Sequence, residues 1–239
     1  MMDSLVSVGI KIELRQTLNK NEILNENVRS YFSQILDICD DTFQAAMPIH
    51  GGYLIPLEVG SKYDVFFKTN KGLFKATCEV MERSKIEKIY VVVLKPISKL
   101  EKFQRREYFR FNTTIDADIC VLTENEMKDF LQSFTVPKDY KDKKKNAAII
   151  DISGGGVKMV SNELYKKNDM VLIEFDVVVG TVVKKLLLPG RIIVSMTSDN
   201  RLDLGEHRIE YNKISKETRE LIIKYIFDEQ RRIIQKERG

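Results

Sequence analysis

Ala147-Ala148-Ile149-Ile150-Asp151-Ile152-Ser153-Gly154-Gly155-Gly156-Val157-Lys158-Met159-Val160 is the stretch whose reading decides the fold. Two runs rich in aliphatic and β-branched residues flank a serine–glycine turn. The segment therefore reads as a strand over Ala147–Ile152, a turn, and a strand over Gly156–Ser161. It is not a P-loop, because no Gly-Lys-Ser/Thr and no helical pattern follow. The glycines permit positive φ and a close approach of backbone to a ligand. Asp151 can accept from the paired N1–H and N2–H₂ of a guanine, and Ser153 can bond a guanine or a phosphate. The same residues equally suit a tight hairpin in which Asp151 and Ser153 bond their own backbone.

Working outward, the β pattern continues on both sides. Downstream it predicts strands over Met170–Val178, Thr181–Ser195 and Asp203–Tyr211, and upstream one over Arg110–Leu122. The first part of the chain is similar. Val6, Val8, Ile10, Ile12 and Leu14 alternate as in a half-buried strand, and Tyr31–Asp37, Thr42–Met47, Lys62–Lys68, Leu73–Arg83 and Ile89–Lys95 follow. Asp40-Asp41, Gly51-Gly52, Gly60-Ser61 and Asn70-Lys71-Gly72 separate them as turns. Strands at this spacing predict small antiparallel barrels.

Two segments break the pattern. Within Thr123–Asn146, Glu124–Phe134 predicts a short helix, whereas Lys138–Asn146 carries so much charge that a mobile loop is expected. Near the C-terminus, Ser215 can cap a helix and Glu217 suits its first turn. Ile222, Ile223, Ile226, Phe227, Ile233 and Ile234 then recur at helical spacing, predicting an amphipathic helix over 216–237 that packs at least in part on its own domain, the alternative being a partner helix.

Length and composition bound the rest. The 239 residues fit one large or two small domains, and a 43% apolar fraction supports ordinary cores. No run approaches the ~18 apolar residues of a membrane span. The N-terminus lacks the features of a signal peptide, so a cytoplasmic location is expected. Cys39, Cys78 and Cys120 have no metal-ligand or disulfide spacing and read as buried small hydrophobes. With only His50 and His207, a metal site or a Ser-His-Asp device is hard to build. A net charge of +4 does not by itself argue for nucleic acid.

Charge is concentrated in Arg105-Arg106-Glu107-Tyr108-Phe109-Arg110. Like charges so close repel, so the cluster needs a reason. Guanidinium forks bond phosphate oxygens in pairs and stack on bases. The plainer alternative is a solvated basic linker that fixes interdomain ion pairs. Domains are expected at 1–97 and 111–239, with 98–110 as an arginine-rich linker.

Taken together, Arg106–Arg110 followed by Asp151, Ser153 and Gly156 resembles the RxxxR and D/N-x-S-x-x-G signature of PilZ domains. Met47-Pro48-Ile49-His50-Gly51-Gly52-Tyr53-Leu54-Ile55-Pro56-Leu57 with Gly60, and Gln104–Arg110, extend the likeness to YcgR-type flagellar brake proteins. Thr123–Asn146 is longer than the link usual in that family. The resemblance implies a six-stranded PilZ barrel with a C-terminal helix and a cyclic di-GMP ligand. Arg106 and Arg110 would hold phosphate and guanine, and Asp151 and Ser153 the other guanine edge. Gly156 would leave room for the ligand, and Lys158 would be an extra contact. Arg105, just before the motif, would stack on a second, intercalated cyclic di-GMP, giving two ligands per chain. The chain would act without catalysis, reorienting its domains to regulate a flagellar stator or rotor protein at the inner face of the membrane. Rival readings are a nucleic-acid-binding β-barrel, with Tyr108 and Phe109 as stacking platforms, and a PilZ adaptor that binds no nucleotide.

Overall fold

The computed structural model describes residues 5–16, 30–198 and 204–238. It divides into two compact units, Met1–Arg105 and Arg106–Gly239.

The first unit contains β1 (Lys11–Gln16), β2 (Ser30–Cys39), β3 (Thr42–Ala46), β4 (Ile49–His50), β5 (Tyr53–Leu54), β6 (Lys62–Thr69), β7 (Gly72–Ile86), β8 (Ile89–Pro96) and β9 (Glu101–Lys102). The main sheet runs β6-β1-β2-β3-β8-β7-β9, and β6 also pairs with β7, so the sheet closes on itself. Closure removes the free edges that would invite aggregation. Ile12, Leu14, Ile35, Phe43, Val65, Phe67, Val92 and Leu94 fill its interior. β4 and β5 form a separate hairpin. The alternation beginning at Val6 runs through a turn: Gly9 takes φ +87°, its N–H donates to the Ile35 carbonyl, and Val8 is 58% exposed. Cys78 is buried, and its thiol is pushed up to about 12 by that burial. Cys39 is exposed, contrary to the expectation that all three cysteines are buried.

Residues 98–105, expected as linker, are tied into this unit. β9 pairs with β7, Leu100 packs against the core, and the Phe103 N–H donates to the Leu73 carbonyl at 2.8 Å. The Phe103 ring rests against Phe66 with centroids 5.1 Å apart.

The second unit contains β10 (Arg110–Leu122), α1 (Glu124–Ser133), α2 (Tyr140–Lys143), β11 (Lys145–Ser153), β12 (Gly156–Ser161), β13 (Met170–Val179), β14 (Val182–Thr197), β15 (Gly205–Tyr211) and α3 (Lys216–Arg238). The strands close as the antiparallel barrel β10-β11-β12-β15-β14-β13. Asp203, the expected start of the last strand, lies outside the described residues. The mainly β class with a C-terminal helix agrees with the reading from sequence.

Inside the barrel are Phe111, Ile119, Ile149, Ile152, Val157, Met159, Ile173, Phe175, Ile192 and Ile209. α3 adds Ile222, Tyr225 and Ile226 to this core. Its cap is Ser215, whose hydroxyl accepts from the Thr218 N–H at 3.1 Å. Phe227, Ile233 and Ile234 are exposed, so only the first part of the predicted apolar face is buried. The fully buried His207 hydrogen-bonds Ser161 and Ser195 at 3.1 Å each, joining β12, β14 and β15, and burial lowers its pKa.

The lysine-rich segment is not a mobile loop. α1 is closed by a capping box between Thr123 and Glu126. It buries Met127 and Phe130, with Tyr140 of α2, against Cys120, Leu122 and Leu172 of the barrel wall. Most of the acids that the lysines meet are distant in sequence: Lys143 pairs with Glu126 as well as with the nearby Asp139, and Lys144 pairs with Asp118 and Glu174. Charge was no obstacle to packing once counter-charges were supplied.

Candidate functional site

Pairing of β10 with β11 brings the two sequence motifs together. Arg110 is directly opposite Ser153, and Asn112 is opposite Asp151. Two further pairings extend this row across the barrel: Asp151 opposes Lys158 on β12, and Lys158 opposes Arg208 on β15. Residues opposed in register share a face. Arg106, Arg110, Lys158 and Arg208 all act electrostatically on Asp151.

Asp151 is half-buried, and burial raises its pKa above the ordinary carboxylate value. The four cations pull the other way without cancelling that rise. A ligand offering paired N–H donors would give this carboxylate further hydrogen bonds. Lys158 also pairs with Glu206 at 2.7 Å. Arg106, Arg110 and Arg208 are exposed. A separate cleft lined by Asp116, Asp118, Glu174 and Asp176 has the wrong sign for phosphate.

The turn between β11 and β12 is held by its own polar groups. The Ser153 hydroxyl donates to the Gly156 carbonyl at 3.1 Å and accepts from the Gly155 N–H at 3.3 Å. It thus uses the local bonding that a plain hairpin would use. None of the three glycines adopts positive φ. They are needed for space instead. A Cβ on Gly154 would lie 2.5 Å from the Tyr108 ring and one on Gly155 3.1 Å from it. A Cβ on Gly156 would lie 2.1 Å from the Ile209 carbonyl oxygen, so the room at Gly156 is occupied by β15.

Tyr108 is the centre of Arg106–Arg110, and its seat fixes that segment. Its ring lies on Gly154 and Gly155, and the Arg219 guanidinium sits 5.0 Å from the ring centroid. Arg219 also donates to the Gly154 carbonyl, and the Gly155 carbonyl accepts from the Tyr211 N–H at 3.0 Å. α3 therefore clamps the turn and the arginine segment together. Phe109 is 57% exposed, whereas Phe111, two residues further on, is in the core.

Arg105 is placed differently from its neighbour Arg106. It belongs to the first unit and donates to Glu13 of β1 at 2.8 Å. Sequence reasoning missed Arg208 and Arg219. Their positions depend on β12 pairing with β15 and on the docking of α3, and neither has a local sequence signal. Among the described residues no helix is long and apolar enough to cross a membrane.

A closed barrel with clustered arginines opposite an Asp-x-Ser-x-x-Gly turn defines a PilZ domain, and the chain belongs to that family: residues 104–228 match the PilZ domain model. Residues 8–96 match the model described as flagellar protein YcgR, so both units have a family. Among solved structures, the Bacillus subtilis inhibitor of motility MotI/DgrA aligns with a TM-score of 0.74 at 14% identity, covering 94% of this chain and 98% of that one. Escherichia coli YcgR in complex with c-di-GMP aligns with a TM-score of 0.48 at 15% identity, covering 94% and 86%. At these identities the likeness is one of fold. No curated protein matches in sequence.

Proposed function

We propose that this chain is a non-enzymatic cyclic di-GMP receptor. The observation that carries the reading is the register that brings Arg110 to Ser153 and aligns Asp151, Lys158 and Arg208 in one row. Arg106 and Arg110 bond phosphate and guanine. Asp151 accepts from the second guanine edge, with Ser153 and Gly156 shaping the turn beside it. Lys158 and Arg208 supply further positive charge. Arg105 serves a second, intercalated ligand, since two cyclic dinucleotides bring four negative charges.

The output is a change in the relation between the two units, because the chain passes from one to the other between Arg105 and Arg106. A cytoplasmic motility regulator, acting on a stator or rotor protein of the flagellar motor, is the output best supported. That support is the match of residues 8–96 to the flagellar protein YcgR model.

Calorimetric titration with cyclic di-GMP, using GTP and linear pGpG as controls, tests the reading. Selective binding of two ligands per chain is expected, falling to one in Arg105→Ala. One ligand in the unmodified chain removes the intercalated pair but keeps the receptor. Absence of binding leaves an adaptor that acts without nucleotide.

A further inference from the structure

Glu13 lies between Ile12 and Leu14 on β1, but its side chain points away from the core that they fill. It is nevertheless only 3% exposed. Phe66, its cross-strand neighbour on β6, and Phe103 from the segment after β8 form an apolar outer patch there. Arg15 lies over Phe66 at 4.8 Å from its centroid. Both carboxylate oxygens of Glu13 are engaged. Oε1 accepts from Nε and a terminal nitrogen of Arg15 at 2.9 and 2.7 Å, and Oε2 accepts from Arg105 at 2.8 Å. Burial alone would raise the Glu13 pKa, but the bonds from Arg105 and Arg15 hold it below the ordinary value.

One guanidinium is enough to balance this carboxylate, and Arg15 supplies it through two N–H groups. Arg105 can leave without stranding an unpaired buried charge, which is what makes breaking most buried ion pairs so costly. The Arg105 side chain is also 38% exposed, so a solvent-borne anion can reach it. It is the last residue of the first unit, adjacent to Arg106.

We propose that Glu13 is a latch on Arg105, withholding its guanidinium until a phosphate-bearing ligand displaces the carboxylate. This rests on the receptor reading above. The latch gives Glu13 control of the binding step that Arg105 serves. The apparent affinity of that step is the intrinsic one reduced by the fraction of molecules in which Arg105 is released. Release also removes one of the ties holding residues 98–105 to the first barrel, so ligand occupancy and the freedom of the joining segment change together.

Glu13→Gln keeps the shape and removes the charge. It is expected to tighten the Arg105-dependent step for cyclic di-GMP about tenfold, the loss of one charge-assisted bond to a competitor. Binding that does not use Arg105 is expected to be unchanged, and in an Arg105→Ala background Glu13→Gln is expected to have no effect. Glu13→Asp, which retains the charge but withdraws it by one methylene, is expected to shift affinity in the same direction by less. It serves if the glutamine variant does not fold. In ligand-free protein, amide hydrogen exchange over residues 101–105 is expected to rise in both variants. Unchanged or weaker binding by both folded variants overturns the latch and leaves the receptor standing. Tightening that persists without Arg105 also overturns it. Failure of the unmodified chain to bind cyclic di-GMP overturns the receptor reading and the latch together.

Discussion

The chain contains two glycine-rich turns that look alike in sequence and differ in what glycine does there. Gly51 and Gly52, between β4 and β5, take φ of +58° and +83°, and an added Cβ at either would meet nothing within 4 Å. Gly154, Gly155 and Gly156, between β11 and β12, need no left-handed torsion but have no room for a side chain. The first turn uses glycine for its torsions and the second for its volume. The volume released at 154 and 155 is taken by Tyr108, midway between Arg106 and Arg110. The second turn is thus the seat of the arginine segment, and its glycines bear on the proposed ligand site in a way that those of the first do not.

The largest expected effect that would test this contrast is at Gly156. A methyl group there would collide with the Ile209 carbonyl, and neither strand backbone can yield without parting β12 from β15. Gly156→Ala is expected to cost about 4 kcal/mol or more, a drop in Tm of roughly 10 °C. Scanning calorimetry showing an unmoved transition would break the contrast. Next is Arg110→Ala, expected to weaken cyclic di-GMP binding roughly tenfold to a hundredfold through lost charge-assisted bonds of ~1.5–3 kcal/mol. Its Tm should stay near that of the unmodified chain. Gly154→Ala lies between these two kinds of change. The group that it strikes is a side chain that can rotate, so stability is expected to fall by only about 1 kcal/mol. Displacing Tyr108 should still weaken ligand binding by about threefold to tenfold. Equal affinity in this variant would show that the Tyr108 seat does not order the arginines.

Acid sharpens the ligand half of the comparison. Asp151 must be ionised to accept from a guanine edge, and its pKa in the free protein is raised by burial. Below that raised value the carboxyl is protonated and the acceptor is lost. Affinity should therefore decline as pH falls, starting at a higher pH than an ordinary aspartate near ~3.9 would give. Asp151→Asn should bind more weakly at neutral pH and lose this part of the pH dependence. A parallel decline in the asparagine variant would assign the titration to another group.

Much of this was readable from local pattern, and the failures have a common cause. Alternation located most strands, and the short helix expected over Glu124–Phe134 is α1. The two motifs were visible as motifs because each is short and self-contained. What they share, the β10–β11 register, is not written in either. The packed state of residues 140–144 was hidden because its counter-charges, Glu126, Asp118 and Glu174, come from three other elements. Arg208 was hidden because only the pairing of β12 with β15 brings it to Asp151. The need of β15 for the space at Gly156 was hidden because an absent side chain does not say which neighbour lies against it.

Gly51→Ala is the smallest effect and the control for the whole contrast. Alanine at φ +58° carries the left-handed penalty of roughly 1–2 kcal/mol, with no steric collision to add. The turn is exposed and joins a two-stranded hairpin outside the main sheet, so part of that cost can be relieved by local movement. A Tm fall of no more than a few degrees is expected, with cyclic di-GMP affinity unchanged, since the turn holds none of the residues proposed for the ligand. The comparison with Gly156→Ala is then one of like substitution in like sequence context with a several-fold difference in cost. A loss at Gly51 as large as that at Gly156 would mean that the β4–β5 hairpin is buried in a contact formed only in solution. A loss of ligand affinity would mean that the first unit reaches the binding event through this hairpin rather than through Arg105.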